Sequence, residues 1–303
     1  MEGLVKFAAS AAAAAILIVG AGGALAATAA PAAHPAAKAP AAKAAPAAAK
    51  SHGHGKVGEL VRLGGHPNLN GIWQVMNSAN WDLEPHDAQQ ANADPAELGA
   101  IGAEPGGLGV VEGGTIPYLP AAVAQRDANH AAAPKADPEA ACYLPGIPRA
   151  TYMDHPFQII QGAGGDMLMA YEYDAANRTI YMQKNDVPPI DTWMGTSYGH
   201  WEGDTLVVTT LGQNGMSWLD RKGDYLQEGD GTKVTERFTL KDHDHLKYEA
   251  TIEDPTTFSR PWKISMILYR HVEPNAEILD FRCVPFADLL VYGDVLKDDA
   301  KPK

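Results

Sequence analysis

Leu246-Lys247-Tyr248-Glu249-Ala250-Thr251-Ile252-Glu253 places an apolar residue at every second position and a polar one between. In a strand, successive side chains point to opposite sides, so this stretch has one face for a core and one for water. Trp262, Ile264, Met266 and Leu268 repeat the pattern against Lys263, Ser265, Ile267 and Tyr269. Similar alternation runs over 166–173, 178–183, 204–211 and 234–240. Turn-forming residues separate these runs at 162–166, 174–177, 202–204 and 242–244. Consecutive amphipathic strands joined by short turns predict an antiparallel meander over 151–285, which must close on itself to hide its apolar face. The expected fold is all-β: an antiparallel up-and-down β-barrel with a long irregular N-terminal arm and a short C-terminal helix.

Outward from the strands, Pro285, Phe286, Leu289, Leu290 and Tyr292, with Gly293 as a stop, predict a closing helix over 286–297. The barrel domain is thus assigned to 151–303. Residues 57–150 contain one clear strand, Gly71-Ile72-Trp73-Gln74-Val75-Met76, and then a stretch rich in Gly, Pro, Ala and Asn with little periodicity. Leu108, Val110, Val111, Ile116, Tyr118 and Leu119 need burial, which makes the stretch an arm wrapped over the barrel. Residues 27–56 are Ala, Pro and Lys and read as a disordered linker. Its His52 and His54 fall short of the three or four donors of a metal site, and no metal is expected.

Residues 1–26 read as a signal peptide: Lys6, an apolar run over 7–19, and Ala24-Leu25-Ala26 as the cleavage site. Export to the periplasm or beyond is expected, with no membrane insertion after cleavage. The chain carries a formal net charge of −13. The five lysines at 6, 38, 43, 50 and 56 precede the folded part, which is more acidic still. Such a surface repels nucleic acid and anionic lipid. Cys142 and Cys283 are the two cysteines. In an oxidising compartment they form either one disulfide or two buried thiols. The absence of CxxC and CxxCH argues against a thioredoxin-type site or a covalent c-type haem, and no cofactor is expected.

The second half resembles a family of exported, largely uncharacterised bacterial proteins. The resemblance rests on Cys142-Tyr143-Leu144-Pro145-Gly146-Ile147-Pro148-Arg149-Ala150-Thr151-Tyr152-Met153 and Trp201-Glu202-Gly203-Asp204-Thr205-Leu206-Val207-Val208. Glu249 to Pro255, Arg260 to Met266, and Gly107 to Gly114 with Ile116-Pro117-Tyr118 extend it over about residues 68–295. It implies an architecture and no activity, and it places both cysteines in family positions, which implies their pairing. At Leu226-Gln227-Glu228-Gly229-Asp230-Gly231-Thr232 the chain departs from the family's His-Ser-Asp-type stretch, so no role for that histidine carries over. Gly71-Ile72-Trp73 also resembles the opening of lipocalins, which implies a lipocalin-like, calycin-type barrel.

Candidate chemistry is sparse. Gly195-Thr196-Ser197-Tyr198-Gly199 matches a nucleophile elbow, but a tight turn and a strand follow where a helix is required. Asp154-His155, in a rim loop, offers proton transfer near neutral pH, or merely a loop cap before Pro156. Glu172 and Glu236 fall on apolar strand faces, where a carboxylate is either ion-paired, with Arg237 or Arg260 as the expected partner, or faces a working interior. Trp193, Tyr198, Trp201 and Trp218 offer ligand walls with Asp220 as a polar anchor, or else plug a barrel end. Asp154, His155, Glu172 and Asp220 are therefore the catalytic candidates; Trp193, Tyr198, Trp201, Trp218, Glu236 and Arg237 are the ligand-binding ones. The leading expectation is periplasmic binding of a small apolar or aromatic molecule. A cofactor-independent lyase, isomerase or hydrolase in the same pocket is the alternative, and an assembly or scaffold protein the third.

Overall fold

The computed structural model describes residues 60–89, 103–182, 190–227 and 231–285, with 188, 229 and 287 besides. The signal peptide, the linker and nearly all of the expected closing helix lie outside the described residues. No described helix is long and apolar enough to cross a membrane.

A short hairpin, β1 (Arg62–Leu63) and β2 (His66–Pro67), precedes the barrel. The barrel strands are β3 (Gly71–Val75), β4 (Phe157–Ile160), β5 (Met167–Tyr171), β6 (Asn177–Met182), β7 (Thr196–Glu202) and β8 (Thr205–Leu211). β9 (Lys233–Leu240), β10 (His245–Glu253) and β11 (Trp262–Arg270) complete them. These nine strands close into one ring, in chain order, with β11 returning to β3. The expected antiparallel meander holds at every neighbouring pair but one: β6 and β7 run parallel, pairing Ile180 with Ser197, Tyr181 with Tyr198 and Met182 with Gly199.

The alternation that predicted the strands is the alternation of burial. Along β10, Leu246, Tyr248, Ala250 and Ile252 are buried, and the intervening residues are partly exposed. Trp73, Phe157, Met169, Val208, Phe238, Ile264 and Leu268 meet them in a single core. The β7–β8 turn needs a left-handed first central residue, and Gly203 supplies it at φ 60°.

The arm is partly structured. β3 pairs with β11 only at Leu268–Arg270. Residues 110–112 take the same edge farther back: Ser265 N–H donates to Val110 O at 3.1 Å, and Glu112 N–H donates to Lys263 O at 2.7 Å. A helix absent from the sequence reading, α1 (Pro120–Ala132), follows, with proline in its first turn and alanine through much of its length. A one-turn helix, α2 (Arg149–Tyr152), is wholly buried at one end of the barrel. Arg149 donates to both Asp137 oxygens at 2.8 and 2.7 Å and to Asn80 Oδ1 at 3.0 Å. Tyr152 OH donates to Leu219 O at 2.7 Å. Gly146, just before this plug, has φ 70°, and a Cβ there would stand 2.4 Å from Ser217 Oγ. Cys142 and Cys283 form a disulfide.

Candidate functional site

The middle of the barrel is filled. Arg178 on β6 and Glu236 on β9, both buried, form a two-pronged ion pair at 2.6 and 3.0 Å. Tyr248 OH donates to Glu236 Oε1 at 2.9 Å. Burial alone would lower the Arg178 pKa, but the Glu236 carboxylate outweighs it and holds the guanidinium above its ordinary value. Burial pushes the Tyr248 phenol well up, and Glu236 adds to the shift. Of the two alternatives for Glu236 the structure has the ion pair, inside the barrel, and the partner expected from the sequence is corrected. Arg237, one residue on, points outward to Glu202 at 2.9 Å, and the guanidinium of Arg260 donates to Pro261 O. The partner is Arg178, brought across the interior by ring closure. Ser197 of the elbow-like motif lies inside a strand, buried against Thr210 Oγ1 at 2.9 Å.

Space opens at the end of the barrel opposite the α2 plug. A cavity of about 750 Å³ lies between the β1–β2 hairpin, the β4–β5 turn and the β6–β7 seam. Met167, Met182, Tyr198, Gly199, Trp201 and His66 are among its walls. The His66 and Trp201 rings stack at 4.5 Å, only 5° from parallel. Trp201 and Tyr198 are thus brought to one cavity. His66, which the sequence reading did not select, joins them; its signal was Gly64-Gly65, the tight turn that folds His66 back over the barrel mouth.

The other aromatic candidates go elsewhere. Trp193 stacks on Tyr143 at 4.8 Å. Trp218 packs with Tyr225 and Ala122 beneath α1. Asp154 contributes its backbone carbonyl, which accepts from Gln74 Nε2 at 3.0 Å. His155 Nδ1 and Glu172 Oε1 do meet, at 3.3 Å, beside a smaller cleft of about 310 Å³ on the outer face of β5. Glu172 Oε2 accepts the Leu279 N–H at 3.0 Å, and Phe281 covers the imidazole at 4.3 Å. The pair thereby fastens residues 278–281 to the barrel wall. Asp220 lies apart from both, in a network of its own.

Asp220 is fully buried, and its carboxylate accepts the N–H groups of Leu83, Gly223 and Asp224 at 3.0, 3.0 and 3.1 Å. Carboxylate oxygens of Asp82, Asp220 and Asp224 lie within 4.8 Å of one another. Oxygen donors of this kind suit a hard cation, but Asp220 Oδ1 already accepts two backbone N–H groups and Oδ2 a third. Burial pushes the Asp220 carboxyl well above its ordinary range, with Asp224 adding to the shift, and burial also raises Asp82. Raised folded-state values mean that the native chain holds protons the unfolded chain has released. Their stabilisation is complete below the unfolded carboxylate pKa of about 4 and is lost as pH rises through the folded values. Melting temperature should therefore fall from mildly acidic to mildly alkaline pH. Calorimetry of Asp220→Asn should show a smaller pH difference than the native chain; an unchanged difference would refute the assignment.

No protein-family model and no curated protein matches the chain. Among solved structures it is similar to the crystal structure of a point mutant of the fluorescent protein UnaG. Identity is 16%, TM-score 0.24, and the match covers 39% of this chain and 73% of that one. So slight a likeness carries nothing about ligand or mechanism. What the structure itself shows is a closed ring of nine strands.

Proposed function

We propose that the protein binds a small, flat, apolar molecule at the open mouth of the barrel and does not process it. The observation that carries this reading is the cavity of about 750 Å³ walled by Met167, Met182, Tyr198 and the stacked His66–Trp201 pair. That volume suits a drug-sized ligand, and thioether and aromatic walls accommodate flat apolar molecules. Among the described residues the wall is made of thioether, aromatic, imidazole, aliphatic and small side chains with Gln161 and Thr209, which suits holding a molecule. The ligand seat is thus moved from the barrel centre, where Arg178 and Glu236 stand, to its rim. Periplasmic or extracellular action remains part of the proposal, supported by the disulfide.

N-phenyl-1-naphthylamine, an uncharged dye that brightens in apolar surroundings, tests the reading. Saturable binding to one site is expected, weakened about tenfold or more in Trp201→Ala, where both the aromatic wall and its contact area are lost. Trp193→Ala and Trp218→Ala should bind as the native chain does. Equal binding by the native chain and Trp201→Ala, or no saturable binding at all, would overturn the site.

A further inference from the structure

Gln161 closes the inward series of β4. Phe157 and Ile159 are fully buried, Ile160 is turned out and exposed, and Gln161, next along the chain, is buried again. Its backbone is wholly engaged: the N–H donates to Asn70 Oδ1 at 2.7 Å, and the carbonyl accepts from Asn70 Nδ2 at 3.0 Å. Its side-chain Oε1 accepts the Leu69 N–H at 2.8 Å. That bond tells the two ends of the amide apart, because a backbone N–H can bond only to the oxygen. These contacts fasten the base of the β1–β2 hairpin to the barrel rim, since β1 and β2 pair only with each other.

Three of the four polar groups of Gln161 are thus accounted for. The fourth, Nε2 with its two N–H donors, makes no hydrogen bond among the described residues. Unlike His66 Nδ1, which is sealed away, it remains open to solvent. Gln161 also lines the mouth cavity with Met167, Met182 and Trp201, so these donors are presented to whatever occupies the mouth. The hairpin needs only an acceptor, and a glutamate oxygen would take the Leu69 N–H equally well. The donors at Nε2 are what that duty leaves over. Once a molecule fills the mouth, apolar walls exclude competing water and a bond to Nε2 strengthens. A carbonyl oxygen suits it. Its lone pairs lie in the carbonyl plane, so a conjugated carbonyl presents them level with the flat body that carries it.

We propose that the mouth takes a flat, conjugated carbonyl compound and that Gln161 reads its oxygen through Nε2. This rests on the mouth being the binding site. The Trp201 ring and the thioethers of Met167 and Met182 hold the apolar body, while Nε2 selects the polar group. A polar group that only donates finds no acceptor at Nε2 and is discriminated against there. Gln161 is a specificity residue and carries out no chemistry.

The test displaces N-phenyl-1-naphthylamine with two probes of one shape, 2-acetonaphthone and 2-isopropenylnaphthalene, which differ only in a carbonyl oxygen replaced by a methylene. The readout is the ratio of their affinities, in which general changes to the cavity cancel. At about pH 8, where a carboxyl is ionised, Gln161→Glu keeps an oxygen for the Leu69 N–H and replaces the donors by a second oxygen. The ratio should move about tenfold against the ketone, the worth of one buried hydrogen bond. Gln161→Met, close in size and without donors, should show the same fall, so the outcome does not hang on one variant folding. Asn70→Ala loosens the hairpin base and leaves Nε2 in place. It should weaken both probes alike and keep the native ratio. A ratio left unchanged by a folded Gln161 variant, or shifted as far by Asn70→Ala, would overturn the role of Gln161 and leave the mouth as the site. Failure of the dye and of both probes with the native chain would remove the site, and this inference with it.

Discussion

Glu236→Gln is expected to destabilise the fold by about 3–5 kcal/mol, the usual consequence of removing one partner from a buried ion pair. Arg178 is left with its charge inside the barrel, where its two prongs now reach Glu236 at 2.6 and 3.0 Å. The glutamine amide satisfies one prong at most. Tyr248, whose hydroxyl donates to the same carboxylate, must find another acceptor. Replacing both charges at once, Arg178→Met with Glu236→Leu, should return most of the loss, because neither member then stays unpaired. Urea unfolding of the two single variants and the double variant measures this. A single variant as stable as the native chain would show that the pair is not closed in solution; a double variant worse than both singles would show that the pair is more than mutually compensating.

Loss of the disulfide should cost about as much. Cys142 and Cys283 are 141 residues apart, and a cross-link closing so long a loop removes unfolded-chain entropy worth about 5 kcal/mol in the loop-closure description. For a chain of this size that amounts to a fall in melting temperature of about 10 °C or more. The bond holds the stretch after β11 near Tyr173, whose hydroxyl donates to Glu139 O at 2.9 Å. Reductant should therefore lower the melting temperature of the native chain, while Cys142→Ser with Cys283→Ser should already be low and ignore reductant. A melting temperature that reductant does not move would refute the contribution.

The strands could be read because each carries its own signal: β8 to β11 alternate, and burial follows the alternation along most of their length. Interactions across the ring carry none. Nothing near Asn177-Arg178-Thr179 announces that Arg178 will meet Glu236, 58 residues on; the adjacent Arg237 was the natural partner on sequence grounds and points to the other face. α1 was obscured by its neighbours, since an alanine-rich helix that buries only Ala122 and Asn129 has almost no apolar stripe. Trp201 and Tyr198 were legible as candidate wall residues because large aromatics at a rim need a reason. His66 was not, because its place depends on a two-residue strand folding back over a barrel that begins after it. Compartment and count left the cysteines either paired or free; the pairing was what the family resemblance implied, and its geometry was not legible.

Strand direction around the ring obeys a parity rule. If every neighbour ran opposite to the last, the directions would match on return only for an even number of strands. Nine is odd, so a like-directed pair is obligatory, and the chain places it between β6 and β7. A homologous barrel that gained or lost a single strand would have to abolish that seam, or add a second, in the same step. Strand number and seam are therefore locked together, and the seam's own residues, Met182, Tyr198 and Gly199, form a wall of the mouth. The mismatch that an odd ring must accommodate somewhere is thus lodged where the barrel opens.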